Sequence, residues 1–91
     1  DVFQAHLDCK AIFGHKLFDS WSENRRLGWV DFLFNLGRAK AMEFKNTMRH
    51  VHLGQWSQVE MHLRASKWFG QVERRGPRTV AMICREEWPY A

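Results

Sequence analysis

The side chains able to ligate, attack or move protons are His6, His15, His50, His52 and His62, Cys9 and Cys84, and ten carboxylates. His50 and His52 raise the question of a metal site. Residues two apart on a helix point away from each other, and neither cysteine stands at ligand spacing, so no metal centre is expected. The cysteines lie near opposite ends of the chain and read as buried, reduced thiols, the usual setting of free Cys. Spacing alone argues no disulfide. The run Arg74–Arg78, "RRGPR", could hold a phosphate at a helix start, but solvated charges before a helix explain it more simply. "RASKWF" interleaves basic and aromatic residues as single-strand nucleic-acid platforms do. Trp68 and Phe69 are more economical as core residues, so nucleic-acid binding is the weaker reading.

These groups must be positioned by one small domain. Ninety-one residues give a single modest core, over residues 1–91. At 45% hydrophobic, with five Trp and seven Phe, the chain has enough apolar mass to fold without disulfides. A net charge of +4 and a pI near 9.5 favour an anionic partner without choosing among nucleic acid, acidic lipid and cell wall. No apolar run approaches the roughly 18 residues of a membrane span, and no signal-peptide pattern opens the chain. The first residue is Asp rather than Met, so the sequence reads as processed, cut or incompletely represented.

Periodicity and punctuation predict an all-α chain of roughly five or six helices. Val2 to Phe13 carries a loose helical pattern halted at Gly14. Ser20 followed by Glu23 has the form of a capping box, and the helix after it, about residues 22–36, stops at Gly37. Met42 to Leu53 marks a further helix stopped at Gly54. Ser57 and Glu60 repeat the capping signal, with Trp56 placed to staple onto Met61. "KWFG" makes a single turn closed by Gly70, and Pro77 opens a last helix that Pro89 ends.

The helix over 22–36 is unusual. Leu27, Trp29, Val30, Phe32, Leu33, Phe34 and Leu36 point in every direction around it. A helix apolar all round is buried on all sides, which predicts a central helix wrapped by the others. Arg25 and Arg26 stand at its positive end, where the macrodipole disfavours them, so a neighbouring acid is expected to pair with them. Asp31 lies amid large apolar residues and needs a polar anchor, to a neighbouring helix or an Arg. Alternatively it lines a cleft beside Phe34 and Asn35, which share its helical face.

The landmarks "FDS" at Phe18–Ser20, Arg25–Arg26, Phe34–Gly37, "F-x-N-T-M-R" at Phe44–Arg49, Trp56, Ala65–Trp68, Arg75 and Trp88 stand together at characteristic separations. With them the chain resembles the C-terminal lobe of the T-even phage-type lysozymes, muramidases that cut peptidoglycan. The resemblance implies a lysozyme-like orthogonal bundle around a central helix. It also implies that Phe34, Asn35, Thr47 and His62 wall a glycan cleft, with Lys67 and Arg75 near its mouth. Thr47 and His62 depart from the Ser and Asn usual there.

The family's catalytic carboxylates lie in an N-terminal lobe, and the resemblance begins only in the tail of the helix joining the lobes. Glycoside hydrolysis needs two carboxyl groups across the scissile bond. Glu86 and Glu87 are adjacent, Asp19 and Glu23 belong to a helix start, Glu60 is used in capping and Asp31 lies within the central helix. Glu43 is left without an assigned role. No catalytic residue is therefore expected, nor any cofactor. The expected role is a non-catalytic structural or peptidoglycan-binding module of a phage virion, in tail or baseplate, acting in the particle or at the host wall. The alternative is the C-terminal part of an active muramidase whose catalytic lobe is missing or supplied by another chain. Either way, the apolar face near Val2, Phe3 and Leu7 is expected to meet a protein partner or a second copy.

Overall fold

Glycines make the first corners of the chain. In the computed structural model, which describes residues 1–90, helix α1 (Val2–Phe13) ends at Gly14, whose N–H reaches Lys10 O at 2.9 Å. α3 (Glu23–Leu36) ends the same way at Gly37, N–H to Leu33 O at 2.8 Å. Both glycines have φ above +80°, a conformation that side-chain-bearing residues rarely adopt. After each corner a short helix follows that periodicity did not reveal: α2 (His15–Ser20) and α4 (Arg38–Ala41). Then come α5 (Lys45–His52), α6 (Trp56–Arg64), α7 (Lys67–Gln71) and α8 (Arg75–Arg85). The described residues are thus all-α, with eight helices and no strand.

Two expected caps are displaced. Ser20 ends α2, and its hydroxyl donates back to Leu17 O. Ser22 instead caps α3, accepting Arg25 N–H at 3.3 Å, which leaves Glu23 as the first helical residue. The cause is Trp21, whose extended backbone separates the helices and sends its indole into the core against Phe13 and Phe18. Likewise α6 starts at Trp56, before Ser57, with Gln55 as an N-cap that makes no side-chain bond. Trp56 packs on Trp21 rather than on Met61, which is exposed. Glu60, freed from capping, binds Arg64 at 2.8 Å and Arg85 at 3.2 Å. α7 continues past Gly70 to Gln71, capped by Ser66. α8 stops before Pro89, at a left-handed Glu86.

α3 packs against α1 and against α8, while α6 packs against α5 and α8. Trp29 and Phe32 are fully enclosed and meet edge-on, with ring centroids 5.3 Å apart. Each such aromatic contributes roughly 1.5–3 kcal/mol by burial alone. Gly28 lets α8 come close, for a Cβ there would lie 2.8 Å from Ile83 Cγ1. The indole N–H groups of Trp29 and Trp68 are buried without a hydrogen-bond acceptor, a penalty of about 1–3 kcal/mol each that the burial of the rings offsets.

The reading of α3 as dry on all sides is corrected. Leu27 is 40% and Phe34 51% exposed. With the half-buried Asp31 and exposed Asn35 they stand at i, i+4, i+7 and i+8, which is one helical stripe. That stripe is wet, although two of its four residues are apolar. The cysteines are free and buried, and burial pushes both thiols up to about 12, with Asp8 adding to the effect at Cys9 and Glu60 at Cys84.

Candidate functional site

The wet stripe of α3 meets the start of α8 in a polar network. Asp31 Oδ2 accepts the Thr79 hydroxyl at 2.8 Å. Arg75 Nη1 donates to Asn35 Oδ1 at 2.8 Å, and its Nε stands 3.9 Å from Asp31 Oδ2. The amide of Asn35 donates to Asp31 O at 2.8 Å, so both ends of that side chain are engaged. Asp31 therefore has the partners expected of a polar anchor, and it also shares a face with Phe34 and Asn35. The network fixes the Arg75 guanidinium beside Asn35, with about half of the Arg75 side chain exposed to water.

Phe34, next in sequence to Asn35, borders a hollow of about 130 Å³ whose lining includes Asp1, Gln4 and Asp8 of the α1 face. Asp1 caps α1 by accepting Gln4 N–H at 2.7 Å, and Asp8 accepts Gln4 Nε2 at 3.0 Å. Asp1 and Asp8 were not singled out in the sequence, although their i, i+7 spacing places both on one face of α1.

Thr47 and His62 come together elsewhere, in a groove of about 430 Å³ between α5 and α6 that Glu43, Asn46 and Ser66 also line. Thr47 is nearly buried there, at 4% exposure. Lys67 lines an adjoining pocket that shares Glu43 and Phe44 with the groove. The six expected residues thus fall into two groups: Phe34, Asn35 and Arg75 on α3 and α8, and Thr47, His62 and Lys67 around α5–α7.

Three participants were missed or undervalued. Thr79 is fully buried and anchors Asp31, yet a threonine in an apolar helix gives no signal of that role. His50 stacks on His62 with centroids 5.1 Å apart, and its Nδ1 lies 2.6 Å from Gln55 Oε1. Only tertiary packing pairs histidines twelve positions apart. Glu43, without a structural role in the sequence, borders both the groove and the Lys67 pocket.

Among the described residues no three His, Cys, Asp or Glu side chains converge as metal ligands, and no helix is long and apolar enough to cross a membrane. Trp68 of "RASKWF" is 3% exposed and belongs to the core, and Arg75 of "RRGPR" is bonded to Asn35 while Arg74 and Arg78 stand exposed. In comparisons with known proteins, no family model matches the chain and no solved structure matches it.

Proposed function

We propose that this chain is a lysozyme-like module that holds a peptidoglycan glycan strand without cutting it, as a structural or wall-binding part of a phage tail or baseplate. In this reading α3 is the axle of an orthogonal bundle, and its Phe34 end faces the sugar chain. The supporting observation is the hydrogen bond between Asn35 and Arg75, braced by Asp31, with Phe34 exposed on the same wet stripe of α3. An apolar ring suits the C–H face of a sugar, and oriented amide and guanidinium groups suit its hydroxyls. Preorganisation matters here, because a side chain already fixed loses little entropy on binding. The Thr47–His62 groove would take the strand further along.

Co-sedimentation with purified peptidoglycan sacculi tests the reading. Phe34→Ala and Arg75→Ala are each expected to weaken retention roughly tenfold while the far-ultraviolet circular dichroism stays helical. Retention unchanged in both variants overturns glycan binding, and clearing of a sacculus suspension by the isolated chain overturns the non-catalytic role.

The alternative of a working muramidase completed by a catalytic lobe draws on a different observation. Val2, Phe3 and Leu7 of α1 are 61%, 71% and 43% exposed, an apolar face of the kind that marks an interface.

A further inference from the structure

The pocket that Lys67 lines has chemistry of its own. It opens where α3, α4, α5 and α7 approach one another and encloses about 260 Å³. Leu36, Phe44 and Trp68 form its apolar lining, and the two rings are braced from within: Phe32 meets Phe44 edge-on at 5.2 Å and Trp68 at 4.9 Å. Around the mouth stand Lys40, Lys67, Glu43 and Gln71, all exposed. Among the described residues neither lysine forms an ion pair, although six such pairs occur elsewhere in the chain. Glu43 is likewise unpaired, so the mouth carries an excess of one positive charge over a rigid aromatic wall.

We propose that this pocket binds a small monoanion: one carboxylate joined to a compact aromatic or branched apolar group. The apolar part covers the half-buried Leu36 and Phe44, with the buried Trp68 as the floor behind them, and the carboxylate accepts from Lys40 and Lys67, with the Gln71 amide as a further donor. The volume lies just below the roughly 300 Å³ at which drug-sized sites begin, which limits the occupant to about one ring. The excess positive charge selects against cations. The proposal uses neither Phe34 nor Arg75, so the failure of glycan binding at those residues leaves it standing; of the residues the resemblance places at the cleft it shares Lys67 alone.

The test titrates phenylacetate into the full chain and follows amide and indole resonances by NMR, with phenylacetamide as the neutral counterpart of the same shape. Such a carboxylate could be a free acid or the end of a peptide. N-acetylglycylphenylalanine and its C-terminal amide therefore form a second arm, and the tighter of the two acids gives the source. Saturable shifts at Lys40, Phe44, Lys67 and the Trp68 indole are expected with at least one acid and with neither amide. Lys40→Gln and Lys67→Gln should each weaken binding about fivefold, and Glu43→Gln should tighten it by about twofold to threefold. All three positions are exposed, so the variants should fold. Equal binding of acid and amide, no binding of either acid, or affinity indifferent to these charge changes overturns the proposal.

Discussion

The guanidinium of Arg25 lies over the indole of Trp56, its Cζ 3.8 Å from the ring centroid. From there its Nε donates to Ile83 O at 2.6 Å, its Nη2 to Cys84 O at 3.3 Å, and its Nη1 meets Glu86 at 3.3 Å. The arginine misplaced for its own helix is thus well placed for another. It sits at the negative end of α8, where cations are favoured. The expected acid is present, but two carbonyls and a ring hold the group as well. Burial lowers the Arg25 pKa and the Glu86 carboxylate opposes that, so the charge is retained.

Replacing Arg25 should therefore cost more than removing its acid. Arg25→Lys keeps the charge but loses the planar fork, and about 1–2 kcal/mol of stability with it. Glu86→Gln should cost less than about 1 kcal/mol, because the Glu86 side chain is 46% exposed and Arg25 keeps its two carbonyl acceptors and the Trp56 ring. Urea denaturation of both variants gives the comparison, and the reverse order would assign the site to the salt bridge alone.

Gly28 and Gly70 should respond oppositely to alanine. At Gly28 the new methyl would lie 2.8 Å from Ile83 Cγ1 and 2.9 Å from Met82 Cβ, forcing α3 and α8 apart. Overpacking of this kind costs about 1–3 kcal/mol, more than the helix-propensity gain of up to about 1. At Gly70, inside α7, nothing stands within 4 Å, so alanine should stabilise by about 0.5–1 kcal/mol. Thermal melts of the two variants should shift in opposite directions.

The cysteines make stability fall in strong alkali. Their thiols ionise near 9.0 when unfolded and near about 12 when folded. Above the unfolded value the unfolded chain binds fewer protons than the native one, so raising the pH favours unfolding. The contribution is fully present below pH 9 and is lost as pH rises toward 12. Cys9→Ser with Cys84→Ser should flatten that decline. At pH 8 the native thiols should resist a thiol-reactive dye that labels both in denaturant.

The α1 face should associate. Light scattering of the concentrated chain is expected to give a mass above that of one chain, and Phe3→Asp with Leu7→Asp to restore the monomer. A wild-type mass of one chain at every concentration would remove self-association and leave only a different partner.

Helix ends were legible in the sequence where one residue type does one job, as Gly14, Gly37 and Gly54 do. Caps were less legible, because Ser20, Ser22, Ser57 and Ser66 all carry the same hydroxyl, and the packing of Trp21 on Trp56 beside the first three leaves no local signal. α2 and α4 escaped notice because four to six residues hold too few apolar positions to show a period. The stripe on α3 was hidden by the apolar character of Leu27 and Phe34, which stand on its wet side. Within the candidate site, Phe34 and Asn35 were readable as neighbours. The bond from Asn35 to Arg75 spans 40 positions and that from Asp31 to Thr79 spans 48, and neither leaves a local pattern.

The polar bonds of α3 also set an order of events. Ile83, Cys84 and Glu86, which hold Arg25, and Thr79, which donates to Asp31, all lie in α8 or at its C-cap. During synthesis α3 leaves the ribosome with a positive charge at its start and a carboxylate along its side, before the α8 groups that bond to both have been made. Until α8 emerges, the Gly28 notch and the surrounding aromatics remain open to other chains, a window in which growing proteins are prone to aggregate. α8 is therefore a lock as well as a layer: it bonds the arginine and the aspartate of α3 and fills the notch at Gly28.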